Sequence, residues 1–139
     1  MELGYKMRKK LAGILAIVMI MAMTITASAT EQSEGYFGEC IIAIGCASNG
    51  VSITWETNTT STANVIGVKD IVLQEKVNGV WKDINISGGY VTNNSTYGAG
   101  GVYTSAVKGR TYRAYCTHYA TWGSTTKTLS NETSEMVYN

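Results

Sequence analysis

The sequence predicts an all-β protein, a two-sheet antiparallel sandwich of about seven strands that follows a removable leader. Three observations carry this. Proline is absent while Thr, Ser, Asn, Val, Ile and Tyr dominate, a mixture that suits pleated strands and their turns better than helices. Short segments alternate apolar with polar residues, and Asn-Gly pairs or Gly/Ser/Asn runs separate them. No segment after Ala29 holds a helical period over a useful length.

The first twenty-nine residues are built differently. Lys6, Arg8, Lys9 and Lys10 precede an unbroken apolar stretch from Leu11 to Met23, and Ala27-Ser28-Ala29 then offers a signal peptidase small side chains at both positions it reads. The apolar stretch has thirteen residues, whereas a membrane-spanning helix needs about 20. Cleavage after Ala29 is therefore expected, leaving residues 30–139 as a secreted, extracellular product with no stable membrane anchor. Met7 heads a Met-Arg-Lys-Lys run and is a second candidate start that leaves this product unchanged. From Thr30 onward seven cations face nine acids, so no basic patch for nucleic acid is implied. That length suits one domain, expected over residues 36–139 behind a flexible tail at 30–35.

Along the domain, Tyr36 to Cys46 is apolar on both parities and predicts a strand buried on both faces. Asn49-Gly50 predicts a turn, after which Val51, Ile53 and Trp55 alternate with Ser52, Thr54 and Glu56. Thr57 to Asn64 holds only Thr, Asn, Ser and one Ala, and reads as a loop. Ile71 to Val77 and Val80 to Ile84 alternate about Asn78-Gly79, which predicts a type I′ hairpin because both central residues need positive φ. Ser87 to Gly101 is rich in Gly, Asn and Ser and reads as a flexible connection with a short strand at Tyr90 to Thr92. Further strands are expected at Val102 to Val107, Thr111 to Tyr119 and within Ser124 to Val137.

Val51-Ser-Ile-Thr-Trp55, the hairpin with Trp81, and the run from Val107 through Tyr112 to Cys116 resemble strand B, strands C and C′, and the E to F corner of a fibronectin type III domain. The resemblance covers most of Val51 to Ser130 and implies an immunoglobulin-like sandwich. It also implies that Trp55 and Tyr112 are structural core residues. The chain is similar as well to uncharacterised small secreted proteins of Gram-positive bacteria, through Leu73-Gln74 with Trp81, Gly109 with Tyr112-Arg113, and the Thr/Ser-rich close after Gly123. No activity comes with that second resemblance.

Cys40, Cys46 and Cys116 are an odd set in an oxidising compartment. Cys40 and Cys46 share a parity and would lie about 20 Å apart in one continuous strand, so the expected disulfide joins Cys116 to one of them. The remaining thiol stays free or links two chains into a dimer. Three scattered cysteines and one histidine do not make a zinc set, so no metal and no cofactor are expected.

Catalytic motifs are lacking. His118 is two residues from Cys116, so both side chains point to one face of a strand, but no helix dipole, cationic neighbour or oxyanion site accompanies them. His118 is expected at a strand end, half in solvent. Glu39, Glu56, Asp70, Glu75 and Asp83 are expected on solvated strand faces, and neither a phosphate loop nor a GxSxG elbow is present. Asn58, Asn85, Asn93, Asn94 and Asn131 head Asn-x-Ser/Thr triplets, read as ordinary loop sequence behind a bacterial leader. If Tyr112 faces the core, Arg113, Tyr115, Thr117 and Tyr119 project outward, with Trp122 expected in the loop beyond. Such a stripe stacks on sugar rings or anchors a protein, or is ordinary cross-strand pairing, in which Tyr is simply a good strand residue. The expected function is a non-catalytic extracellular module binding a glycan or protein through Arg113, Tyr115, Tyr119 and Trp122. A bacteriocin-like secreted toxin and a small hydrolase are the alternatives.

Overall fold

The computed structural model describes residues 26–31 and 35–139. Most of the expected leader, residues 1–25, and residues 32–34 of the expected tail lie outside the described residues. The rest is all-β, in one antiparallel sheet of eight strands that curls around its core. The strands are β1 (Thr26–Glu31), β2 (Cys40–Ala47), β3 (Gly50–Val77), β4 (Val80–Ile86), β5 (Gly89–Tyr103), β6 (Thr111–Trp122), β7 (Thr125–Glu132) and β8 (Met136–Val137). Among the described residues, no helix is long and apolar enough to cross a membrane.

The 28-residue β3 organises everything else. Its return arm is β4 followed by β5, pairing from Val77↔Val80 back to Val51↔Tyr103, so β3 to β5 form one long folded hairpin. The turn at its tip has Asn78 at φ 52° and Gly79 at φ 81°, the left-handed pair that the type I′ geometry requires. On its other edge β3 takes β2 along its first part and β6 along its last, while β1 and β7 extend the sheet outward.

Two irregularities let so long a strand bend. Between Asn58 and Ala63 the register with β5 shifts. At Asp70, whose φ is 50°, the register with β6 shifts by one residue. A one-residue bulge inverts side-chain parity. Ile66 and Val68 point inward before it, and Ile71, Leu73 and Glu75 point inward after it. Both parts of β3 therefore feed one core. There Val51, Ile53 and Trp55 meet Val68, Ile71 and Leu73, with Ile42 and Ile44 from β2, Tyr112 and Ala114 from β6, and Met136 and Tyr138 from the C-terminus. A second, smaller cluster gathers Phe37, Cys40, Ala63, Ile66 and Ala120.

Several expectations are corrected. Thr57 to Asn64 is strand, not loop: Thr57 and Thr59 point inward, and their hydroxyls donate to the carbonyls of Gly67 at 3.2 Å and Ser61 at 2.8 Å. Polar side chains satisfied within the core substitute there for the missing apolar anchors. Most of the glycine-rich stretch, from Gly89 onward, is also strand. Glycine at 100 lets β5 approach β3, since a Cβ there would meet the Ile53 carbonyl oxygen at 2.5 Å. The first turn is Ser48-Asn49, one residue earlier than expected, and Gly50 opens β3, where a side chain would run into the Tyr103 carbonyl. Thr30 and Glu31, placed in the tail, belong to β1 and pair with Ile41 and Cys40.

Candidate functional site

Along β6 the burial alternates without a break. Tyr112, Ala114, Cys116, His118 and Ala120 face inward, while Arg113, Tyr115, Thr117 and Tyr119 lie half-buried on the outer face. Cys116 and His118 share the inner face, and Arg113, Tyr115 and Tyr119 the outer one.

The outer face is a ladder of aromatic rings and cations. The Arg113 guanidinium lies 4.0 Å from the centroid of the Trp81 ring, and its Nε donates to Gln74 Oε1 at 2.6 Å. Lys76 stands 5.3 Å over the same indole, and Lys69 stands 5.4 Å over Tyr119. Each cation is thus held in place by a ring quadrupole as well as by its own backbone position. Burial, with the neighbouring Tyr90 and Tyr97 phenols, pushes the Tyr119 phenol up, so it remains an un-ionised donor. Beside Tyr115 and Thr117 the surface dips into a hollow of about 580 Å³, lined also by Ser130 and Glu132 of β7.

Trp122 does not join this ladder. It closes β6 within the strand, on the inward parity, and packs on the smaller core cluster. Its ring lies 5.5 Å from that of Tyr36, over which Lys127 is placed at 4.6 Å. Arg113, Tyr115 and Tyr119 share a face; Trp122 belongs to the opposite one. Trp81, Lys76 and Lys69 complete the outer ladder and were not read from the sequence. Cross-strand register was the missing signal, since Lys69 opposes Thr117 only after the bulge at Asp70 has been placed.

The inner face carries a buried polar network around His118. This histidine is fully buried, contrary to the expected strand end half in solvent, because the inward parity of β6 continues to Ala120. Thr57 Oγ1 donates to the Gly67 carbonyl, so at 2.7 Å from His118 Nδ1 it acts as the acceptor of an Nδ1–H. Nε2 is then a bare acceptor, taking Asn131 Nδ2–H at 3.3 Å and the Cys116 thiol at 3.6 Å. Asn131 Nδ2 also donates to the Cys40 carbonyl at 3.2 Å.

The sequence placed Cys116 and His118 on one face, and the structure brings them into contact. Their electrostatics oppose nucleophilic chemistry. Burial pushes the Cys116 thiol up to about 12 and the His118 imidazole down to about 4, so moving the proton from sulfur to nitrogen is strongly uphill. A reactive pair needs the reverse, a thiolate beside an imidazolium. Cys40 is likewise raised to about 11, chiefly by burial.

All three cysteines are free thiols in the structure, so the expected bridge from Cys116 to Cys40 or Cys46 is not present. Cys40 and Cys116 are occupied inside the core, while Cys46 lies half-buried near the C-terminus, 3.6 Å from the Val137 carbonyl and 4.0 Å from Met136 Sδ. No group of three His, Cys, Asp or Glu side chains among the described residues could hold a metal ion. Glu75, expected on a solvated face, is buried and accepts the Tyr112 hydroxyl. Glu56 is half-buried, its carboxyl raised by burial and then by Glu39.

A second concavity, about 510 Å³, opens between the end of β4 and the last part of β5. It is floored by Ile53 and Trp55 and walled by Ile84, Ile86, Tyr97 and Tyr103. Trp55 Nε1 is buried with no hydrogen-bond partner.

No protein family, no curated protein and no solved structure matches the chain. The fold defines the class as an all-β domain built on a long folded hairpin.

Proposed function

We propose that this chain is exported and acts as a non-catalytic extracellular interaction module, binding a glycan or protein through the outer face of β6. The observation that carries the reading is the half-buried row Arg113, Tyr115, Thr117 and Tyr119, of which Tyr115 and Thr117 line a hollow of about 580 Å³. Aromatic faces and held cations offer stacking and hydrogen bonding at little entropic cost, since the cations are already positioned on rings. The buried, neutral state of Cys116 and His118 counts against a Cys/His nucleophile. The two-sheet, immunoglobulin-like description remains part of the same proposal, supported by the way the bent β3 lays its two parts against one core.

The test is a pull-down on purified cell wall and on a glycan array, with Tyr115→Ala/Tyr119→Ala beside wild type. Both residues point outward, so the variant is expected to keep its circular dichroism spectrum and lose binding at least tenfold. A variant that binds as wild type would remove this face as the site.

A further inference from the structure

The Ala27-Ser28-Ala29 segment that a signal peptidase would read is also half of the six-residue strand β1. β1 pairs with β2 at six positions, from Thr26↔Gly45 to Glu31↔Cys40. Ala27 is 4 % exposed and belongs to the main core, and Ala29 packs against it from the edge. Ser28 and Thr30 point to solvent. From β7, Asn131 Nδ2 reaches the Ala29 carbonyl at 3.4 Å. The segment therefore occupies a formed slot, with a backbone ladder on one side, the Asn131 amide on the other and room for small side chains at alternate inward positions.

Cleavage after Ala29 would take away Thr26 to Ala29 and leave Ile42 to Gly45 of β2 without partners on that edge. An unpaired strand edge beside an apolar floor is a template for another extended chain. The geometry points to this slot as a peptide-binding site of the processed protein. Its occupant is an extended strand of a partner polypeptide with small side chains at two alternate inward positions. This rests on the export reading and names the partner's chemistry. It uses the edge of β2, away from the β6 ladder. Bulk is excluded at the inward positions because Ala27 already fills its place among Ile42, Ile44 and the rest of the core. The outward positions are free to vary.

The test uses protein recovered from the medium of cells expressing the full chain. Intact mass comes first: a start at Thr30 is expected, and a start at or before Thr26 overturns the proposal by showing the slot filled. A labelled synthetic peptide of residues Thr24–Glu31 is then added and followed by fluorescence polarisation and thermal shift. Saturable binding with a raised melting temperature is expected. Ala27→Trp in the peptide should weaken binding at least tenfold, whereas Ser28→Arg should leave it within about twofold. If the recovered protein is unfolded, recovery of its strand spectrum on adding the peptide supports the slot, and no recovery overturns it. Equal binding of the two substituted peptides, or a dimer that closes the edge with a second copy, also overturns it. Tyr115→Ala/Tyr119→Ala protein should still take the peptide, so the β6 reading and this one can fail separately.

Discussion

Tyr112 donates its hydroxyl proton to Glu75 Oε2 across 2.6 Å, between two buried side chains. The same phenol oxygen accepts the Val107 N–H at 2.9 Å, and Arg110 stands 3.3 Å from the same carboxylate oxygen. One end of the core is thus tied to β3, to β6 and to the turn before β6. Burial and the bond to Glu75 push the phenol up to about 12, which keeps the donor protonated. Tyr112→Phe keeps the ring but leaves Val107 N–H without its acceptor and removes one of the Glu75 partners. The expected loss is about 1–3 kcal/mol. Tyr112→Ala and Trp55→Ala should each lose about 3–5 kcal/mol through cavities in the core. Urea titration measures all three, and a Phe variant as stable as wild type would show that the bond has no net worth.

His118 makes stability depend on pH. Its imidazole is lowered by burial from 6.5 to about 4 in the folded chain. Above pH 6.5 it is neutral in both states and its contribution is intact. As pH falls from 6.5 to 4, the unfolded chain takes up a proton that the folded one refuses, and stability drops by up to about 3 kcal/mol. Melting temperature against pH should show this fall in wild type and a smaller one in His118→Gln, whatever that variant's stability at neutral pH. Equal slopes would assign the pH dependence to other groups.

Thiol reactivity should separate the three cysteines. Cys46 is half-buried, while Cys40 and Cys116 are enclosed and held as thiols by burial. Native protein should take one equivalent of maleimide, at Cys46, and three after denaturation. Peptide mapping identifies the site, and a bridge from Cys116 to Cys40 or Cys46 in secreted material would contradict the free thiols of the core.

The hairpin tip offers a backbone test free of packing effects. Gly79 has φ 81°, and a Cβ there would meet nothing within 4 Å. Gly79→Ala should therefore cost about 1 kcal/mol from conformation alone. Differential scanning calorimetry against wild type reads it, and an unchanged melting temperature would mean that the turn relaxes at no cost.

The sequence by itself determined the strand class, the hairpin at Asn78-Gly79 and the parity of β6. Alternation with period two and the positive-φ demand of a two-residue turn are local properties, and they can be read from neighbours in the chain. It also placed Cys116 beside His118, since a spacing of two always puts side chains on one face of a strand.

Only the tertiary structure decided what those faces meet. Thr57 to Asn64 carries no local strand signal, because the buried Thr57 hydroxyl finds its acceptor at Gly67 and its donor at His118 only when β3 has bent and brought them near. The bulge at Asp70 reversed the parity of the rest of β3, and one left-handed residue leaves no periodic trace. Trp122 looked like the end of the aromatic stripe, yet strand β6 continued through it and turned it to the opposite face. His118 looked like a half-exposed group, but the curl of the sheet closed over it, and desolvation then set its charge. Local periodicity chooses which residues share a face; long-range pairing chooses whether that face sees water, a core or a partner.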